Sequence, residues 1–111
     1  MKVFGISNCD TVRAAIRALT AAGHAPELVD IRRDGLGLAD LERFFEAFGA
    51  ALVNRRSATW RGLSEAERAE PPVRQISAHP ALMKRPVIEA DGRLTLGWDE
   101  VVQAEWLGKP V

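Results

Sequence analysis

The chain has 111 residues, 47% of them hydrophobic and 27% charged, with a single cysteine. That length allows one domain with a core of two or three layers, and the composition excludes a disordered tail. The 15 basic residues match 15 acidic ones, so no net charge remains to favour general nucleic-acid binding.

The apolar run Val3, Phe4, Ile6 predicts a first strand over Lys2 to Ile6. Asp10 or Thr11 is expected to cap the helix that follows. From there Val12, Ala15, Ile16 and Leu19 recur at helical spacing, and Gly23 is placed to end the helix in a left-handed cap. ELVDI, after Pro26, predicts a second strand through Ile31. The loop RRDGLG follows. Leu38, Leu41, Phe44, Phe45 and Phe48 mark a second amphipathic helix, closed by Gly49.

An arginine-rich turn, NRRSATWRGL, then precedes the polar helical stretch SEAERAE. Pro71-Pro72 opens another helix, with Val73, Ile76, Ala81 and Leu82 as its apolar side. His79-Pro80 bends or ends it. Two short strands, Pro86 to Glu89 and Leu94 to Leu96, flank an Asp91-Gly92 hairpin turn. Trp98 to Leu107 predicts a final helix, and Gly108 to Val111 reads as a loose tail.

This order makes the first two strands parallel, with a right-handed crossover. The hairpin completes a four-stranded mixed sheet flanked by helices. The expected fold is therefore α/β and thioredoxin-like (glutaredoxin-like). It forms a single domain over 1–111, with a helical insertion at about 38–82, between strands 2 and 3.

No apolar run approaches the roughly 20 residues that span a bilayer. MKVFGISNCD has too short an apolar stretch for a secretory signal. The expectation is a cytoplasmic monomer with no membrane or nucleic-acid partner. One cysteine excludes an internal disulfide and a cysteine-based zinc site within one chain. His24 and His79 share no metal-ligand spacing, and no Gly-rich phosphate loop is present.

Cys9 lies between a strand and a helix, among the polar residues Ser7, Asn8, Asp10 and Thr11. The open N–H groups and dipole of a helix start favour an anion, so a thiol there ionises more readily than a free one. Arg13, one turn on, adds positive charge, whereas Asp10 opposes it unless it points outward. The alternative is a buried structural cysteine. A dithiol thioredoxin has a second cysteine three residues on; here that position is Val12. Any disulfide formed by Cys9 must be resolved by an external thiol, and glutathione is the expected one.

Arg55, Arg56 and Arg61 crowd a short span with Asn54 and Trp60. Arginine forks bind carboxylates and phosphate-like oxyanions. The alternative is a solvated basic turn. Lys84-Arg85-Pro86 places a proline at a strand start, which suits a cis bond in a tight turn or a trans proline on an edge strand.

FGISNCDTVRAA, VNRRSATWRGL, HPALMKRPVI and DGRLTLGW, in that order, resemble the arsenate reductase-like family (ArsC/Spx), and within it the YffB-type proteins. The resemblance runs from about Lys2 to Leu107. It implies that Cys9 is the reactive cysteine and that Arg85 helps hold an oxyanion or thiolate. It also implies that Pro86 is the cis proline of thioredoxin folds. The activity implied is glutathione-dependent thiol reduction.

Two departures bear on the substrate. Arsenate reductases of the glutathione and glutaredoxin type surround the cysteine with three arginines. Here Asn54 stands at the first position, with Arg55 beside it, and Gly97 at the third; only Arg85 is retained. Each charge-assisted hydrogen bond contributes about 1.5–3 kcal/mol, so efficient arsenate reduction is not expected. Val12 also removes the C-x-x-C switch of the transcription-regulating Spx branch.

The expected mechanism starts from a Cys9 thiolate assisted by Arg13 and Arg85. Asn8 and Thr11, in the same loop, are expected with Arg13 among the substrate- or glutathione-binding residues. Arg55, Arg56 and Arg61 hold glutathione carboxylates or an anionic substrate, and Pro86 backbone groups pair with the bound thiol. Glutathione is a co-substrate, and no tightly bound cofactor or metal is expected. A glutaredoxin or a small anionic or disulfide substrate is the further partner. The alternatives are a redox-sensing or protein-binding regulatory module of the same fold, and a weak arsenate reductase.

Overall fold

Val3 and Phe4 point to opposite faces of β1 (Lys2–Gly5), and both are buried. A strand covered on both faces belongs inside a sheet. In the computed structural model, which describes residues 1–111, the strand order is β2-β1-β3-β4, with β1 internal. β2 spans Glu27–Asp30, β3 Val87–Ala90 and β4 Arg93–Leu96. β1 runs parallel to β2 and antiparallel to β3, and β3 pairs antiparallel with β4. This is the four-stranded mixed sheet of a thioredoxin-like fold.

The parallel β1–β2 pair requires a crossover. It is α1 (Asp10–Ala21), whose buried stripe is Val12, Ala15 and Leu19. Val12 and Leu19 join Val3 and Ile88, which pair across β1 and β3, in one core cluster. Val102 and Trp106 of α6 (Glu100–Leu107) complete that core layer. At the far end of α1, Gly23 takes φ +92°, its N–H donates to the Thr20 carbonyl, and the His24 N–H donates to Leu19. This double closure is a Schellman motif, the left-handed ending expected at Gly23. The hairpin turn has φ +52° at Asp91 and +74° at Gly92. Positive φ at both central residues is the type I′ requirement.

The chain divides into two compact units, Met1–Ile31 with Arg85–Val111, and Arg32–Lys84. The second unit is helical: α2 (Leu38–Phe48), α3 (Ala58–Arg61), α4 (Glu65–Arg68) and α5 (Pro72–Ala78), with two short 3-10 turns. Leu41, Phe44, Leu52, Ile76, Leu82 and Met83 are its most deeply buried apolar residues. Leu52–Asn54 and Leu82–Lys84 run side by side: the Asn54 N–H donates to the Leu82 carbonyl, and the Lys84 N–H to the Leu52 carbonyl, both at 2.8 Å.

Several local expectations are corrected. Asp10 is the first residue of α1, not its cap, and the N-cap is Cys9 itself. Leu38 and Phe45 are exposed, because Leu41 and Phe44 alone fill the inward stripe of α2. Trp98 precedes α6, whose cap is Asp99, accepting from the Val102 N–H. The C-terminal residues are tied back, since the Val111 N–H donates to Gln103 Oε1. No helix is long and apolar enough to cross a membrane.

Candidate active site

The loop from Gly5 to Cys9 follows the carboxyl end of β1. Its conformation is held at three points. The Ile31 N–H donates to the Gly5 carbonyl and the Cys9 N–H to the Ile6 carbonyl. The Ser7 N–H donates to Asp30 Oδ2 at 3.1 Å. Asp30 is buried and closes β2. The sequence carries one signal for it, an acid set between the apolar Val29 and Ile31. Asn8 is an exposed residue of this loop.

Cys9 is partly exposed and occupies the N-cap of α1, with extended backbone (φ −87°, ψ 122°). Its side chain makes no regular cap hydrogen bond. Its ionisation is set by opposing effects. Burial pushes the thiol up. The Val12 N–H, the Arg85 guanidinium through hydrogen bonding and charge, and the Thr11 N–H favour the anion, and the net direction is down. Helix-start donors and one cation thus act together on the sulfur.

Arg13 has no part in this lowering. Its guanidinium pairs with Asp10 one turn back, and the Asp10 carboxylate is 94% exposed. Asp10 therefore points outward and takes up the charge expected to reach the thiol.

Arg85 and Cys9 lie 76 residues apart in sequence, by their numbers, and the fold brings them together. The Arg85–Pro86 bond is cis and leads into β3. Pro86 is buried, and its carbonyl accepts from the Gly97 N–H at 2.9 Å. A proline has no N–H. The backbone pairing expected of Pro86 therefore meets a carbonyl already engaged. Gly97 has φ +83°.

Arg55, Arg56 and Arg61 belong to the Arg32–Lys84 unit. Arg55 lies over the Trp60 ring at 5.5 Å, and Arg61 Nη1 donates to the Arg56 carbonyl at 2.8 Å. The Arg56 N–H donates to Asn54 Oδ1. Elsewhere in that unit, His79 Nε2 sits 2.9 Å from Glu67 Oε2, and Glu67 completes a capping box with Ser64. No group of three or more metal-ligating side chains is present.

A single thiol at a helix N-cap beside an arginine and a cis proline defines a site of the thioredoxin-like class. The ArsC family matches residues 4–105, and the chain belongs to that family. It is 39% identical over 103 residues to an uncharacterized protein of Haemophilus influenzae, covering 88% of this chain and 90% of the relative. It is 28% identical over 104 residues to a protein of Neisseria meningitidis serogroup A named arsenate reductase, covering 87% of this chain and 89% of that one. Among solved structures, a YFFB protein superposes with a TM-score of 0.85 at 29% identity, covering 96% and 97% of the two chains.

Proposed function

We propose that the chain is a monothiol oxidoreductase that reduces a disulfide substrate with glutathione. The Cys9 thiolate attacks a mixed disulfide between substrate and glutathione, expelling the substrate thiolate and forming a Cys9–glutathione disulfide. A second glutathione thiolate attacks that bond, releases oxidised glutathione and regenerates the Cys9 thiolate. The net reaction turns one glutathione and the mixed disulfide into the substrate thiol and oxidised glutathione, and no second cysteine of the chain takes part. Arg85 holds the attacking sulfur as its anion. Arg55, Arg56 and Arg61 are candidate holders of glutathione carboxylates or of an anionic substrate, and Asn8, Thr11 and Arg13 are candidate contacts beside the thiol.

The observation that carries this reading is the lowered Cys9 thiol with Arg85 against it, in a chain without another cysteine. The test joins two measurements. Iodoacetamide alkylation across pH is expected to give a folded-state thiol below the ordinary value of about 8.5. Glutathione-dependent turnover is expected in the native chain and not in Cys9→Ser. Full turnover by Cys9→Ser, or a thiol reactive only after unfolding, overturns the proposal. A regulatory module of the same fold would retain a protein partner and show no turnover.

The Neisseria relative's name favours a second reading, arsenate reduction. Against it, the first and third arginine positions hold Asn54 and Gly97. Arsenite formation that requires both Cys9 and Arg85, at rates exceeding the disulfide reaction, would establish that reading instead.

A further inference from the structure

The acids and bases of this neutral chain are unevenly spread. No Asp or Glu occurs from Ala47 to Ser64 or from Pro71 to Ile88, although both stretches carry several basic residues. Within the Arg32–Lys84 unit, the side-by-side segments Leu52–Asn54 and Lys84 frame an open cleft of about 500 Å³. Its lining includes Asn54, Arg55, Arg56 and Lys84, and no carboxylate.

Five arginines elsewhere in the chain are matched by acids. Arg13 pairs with Asp10, Arg33 with Asp34, Arg43 with Asp40, Arg74 with Glu70 and Arg93 with Glu105. The cleft cations make no such pair. Arg55 is steadied instead by the Trp60 ring. Asn54 spends its Oδ1 on the Arg56 N–H, which leaves its amide NH₂ as the side chain's donor end. The cleft thus collects donors of positive charge on a hydrogen-bonded frame and offers no side-chain acid.

We propose that this cleft binds a phosphorylated small molecule through a phosphate monoester or diphosphate group. Two guanidinium forks and an ammonium supply bidentate donors and a point charge, the combination suited to a multiply charged tetrahedral oxyanion. Glutathione fits less well, because its ammonium meets no carboxylate here. The volume exceeds what one inorganic ion fills, so the phosphate is the anchored part of a larger ligand. Of the two ligands proposed above for Arg55 and Arg56, the cleft takes the anionic one in place of glutathione, and the assignment rests on that reading; occupancy is read without turnover, so its failure leaves the Cys9 chemistry to its own test.

The probe is inorganic pyrophosphate, titrated into the full chain at constant ionic strength and followed by amide NMR shifts. Saturable shifts are expected at Asn54, Arg55, Arg56 and Lys84. Arg55→Gln, Arg56→Gln and Lys84→Gln should each weaken binding about tenfold, the scale of one charge-assisted hydrogen bond in an open cleft. Asn54→Asp keeps the acceptor for the Arg56 N–H but adds a negative charge, and should abolish binding with the turn intact. Arg17→Gln, on α1, makes the same change in net charge and should leave binding unaltered. Shifts that fail to saturate, that chloride reproduces, or that Arg17→Gln weakens equally would mark a solvated basic surface and overturn the proposal. Tighter saturation of the same amides by glutathione would overturn the ligand class.

Discussion

Gly5 and Val12 are in such close approach that a methyl group added to Gly5 would lie 2.6 Å from Val12 Cγ2. Val12 is fully buried and β-branched, so its side chain has no easy retreat. Its N–H is also the first of the groups that lower the Cys9 thiol. Glycine at position 5 lets the reactive end of α1 settle against β1.

Gly5→Ala is expected to destabilise the fold by about 1–3 kcal/mol through overpacking. It should also slow Cys9 alkylation at neutral pH. Adding Val12→Ala removes the clashing methyl groups and should restore part of both losses. Denaturant unfolding and alkylation of the two single variants and the double variant give the coupling directly. Independent, additive losses would contradict the steric account.

Arg85→Met removes the one side-chain cation acting on the sulfur. The Cys9 thiol should move up toward its ordinary value, read as a shift of the alkylation profile to higher pH. The linkage has a definite sign. A thiol lowered by folding stabilises the native state fully above the unfolded value of about 8.5, and that contribution is lost as pH falls through the folded value. The stability difference between the native chain and Cys9→Ser should therefore shift in the native chain's favour as pH rises through that window. In the Arg85→Met background the trend should shrink.

Asp30→Ala leaves the Ser7 N–H without its protein acceptor. Ser7 is exposed, so water can replace the carboxylate, and the expected cost is near the lower end of about 1–3 kcal/mol. Hydrogen exchange at Ser7 should quicken, with slower Cys9 alkylation as the loop loosens. Asp30→Asn keeps an acceptor and should protect Ser7 better. Unchanged exchange in Asp30→Ala would remove Asp30 from the support of the thiol loop.

Glu67 is held below the usual carboxylate range, first by the Ser64 N–H and then by His79. Its contribution is present above the ordinary value of about 4.3 and is lost as pH falls through the lower folded value. Acid unfolding should therefore show a shallower dependence over that window in Glu67→Gln than in the native chain. Equal slopes would mean that the capping box of α4 is unimportant to acid stability.

Elements with a strong local signal were legible. The stripe of α1, the left-handed end at Gly23 and the Asp91-Gly92 turn each depend on residues close in sequence. Cys9 was legible as the candidate thiol because its polar neighbours mark a helix entrance. Arg85 was placed at the site only through the family resemblance, since its distance from Cys9 is closed by sheet pairing. The role assigned to Arg13 failed for a local reason: Asp10, at the preceding turn, is the nearer partner. Asp30 was missed because a buried acid at a strand end looks like any strand residue until the facing loop is known. The exposed Leu38 and Phe45 show the limit of periodicity, which gives a face but not how much of it is covered.

Cys9 as the N-cap of α1 has an evolutionary corollary. Ser, Asp or Asn at that place would bond a helix N–H, typically contributing about 1 kcal/mol. The Cys9 side chain makes no regular cap bond of that kind. The helix thus begins with a residue chosen against the strength of its own first turn. Substitution of Cys9 by a better cap offers natural drift a route to a sturdier, chemically silent descendant, and only selection for the sulfur's reactivity keeps that route closed.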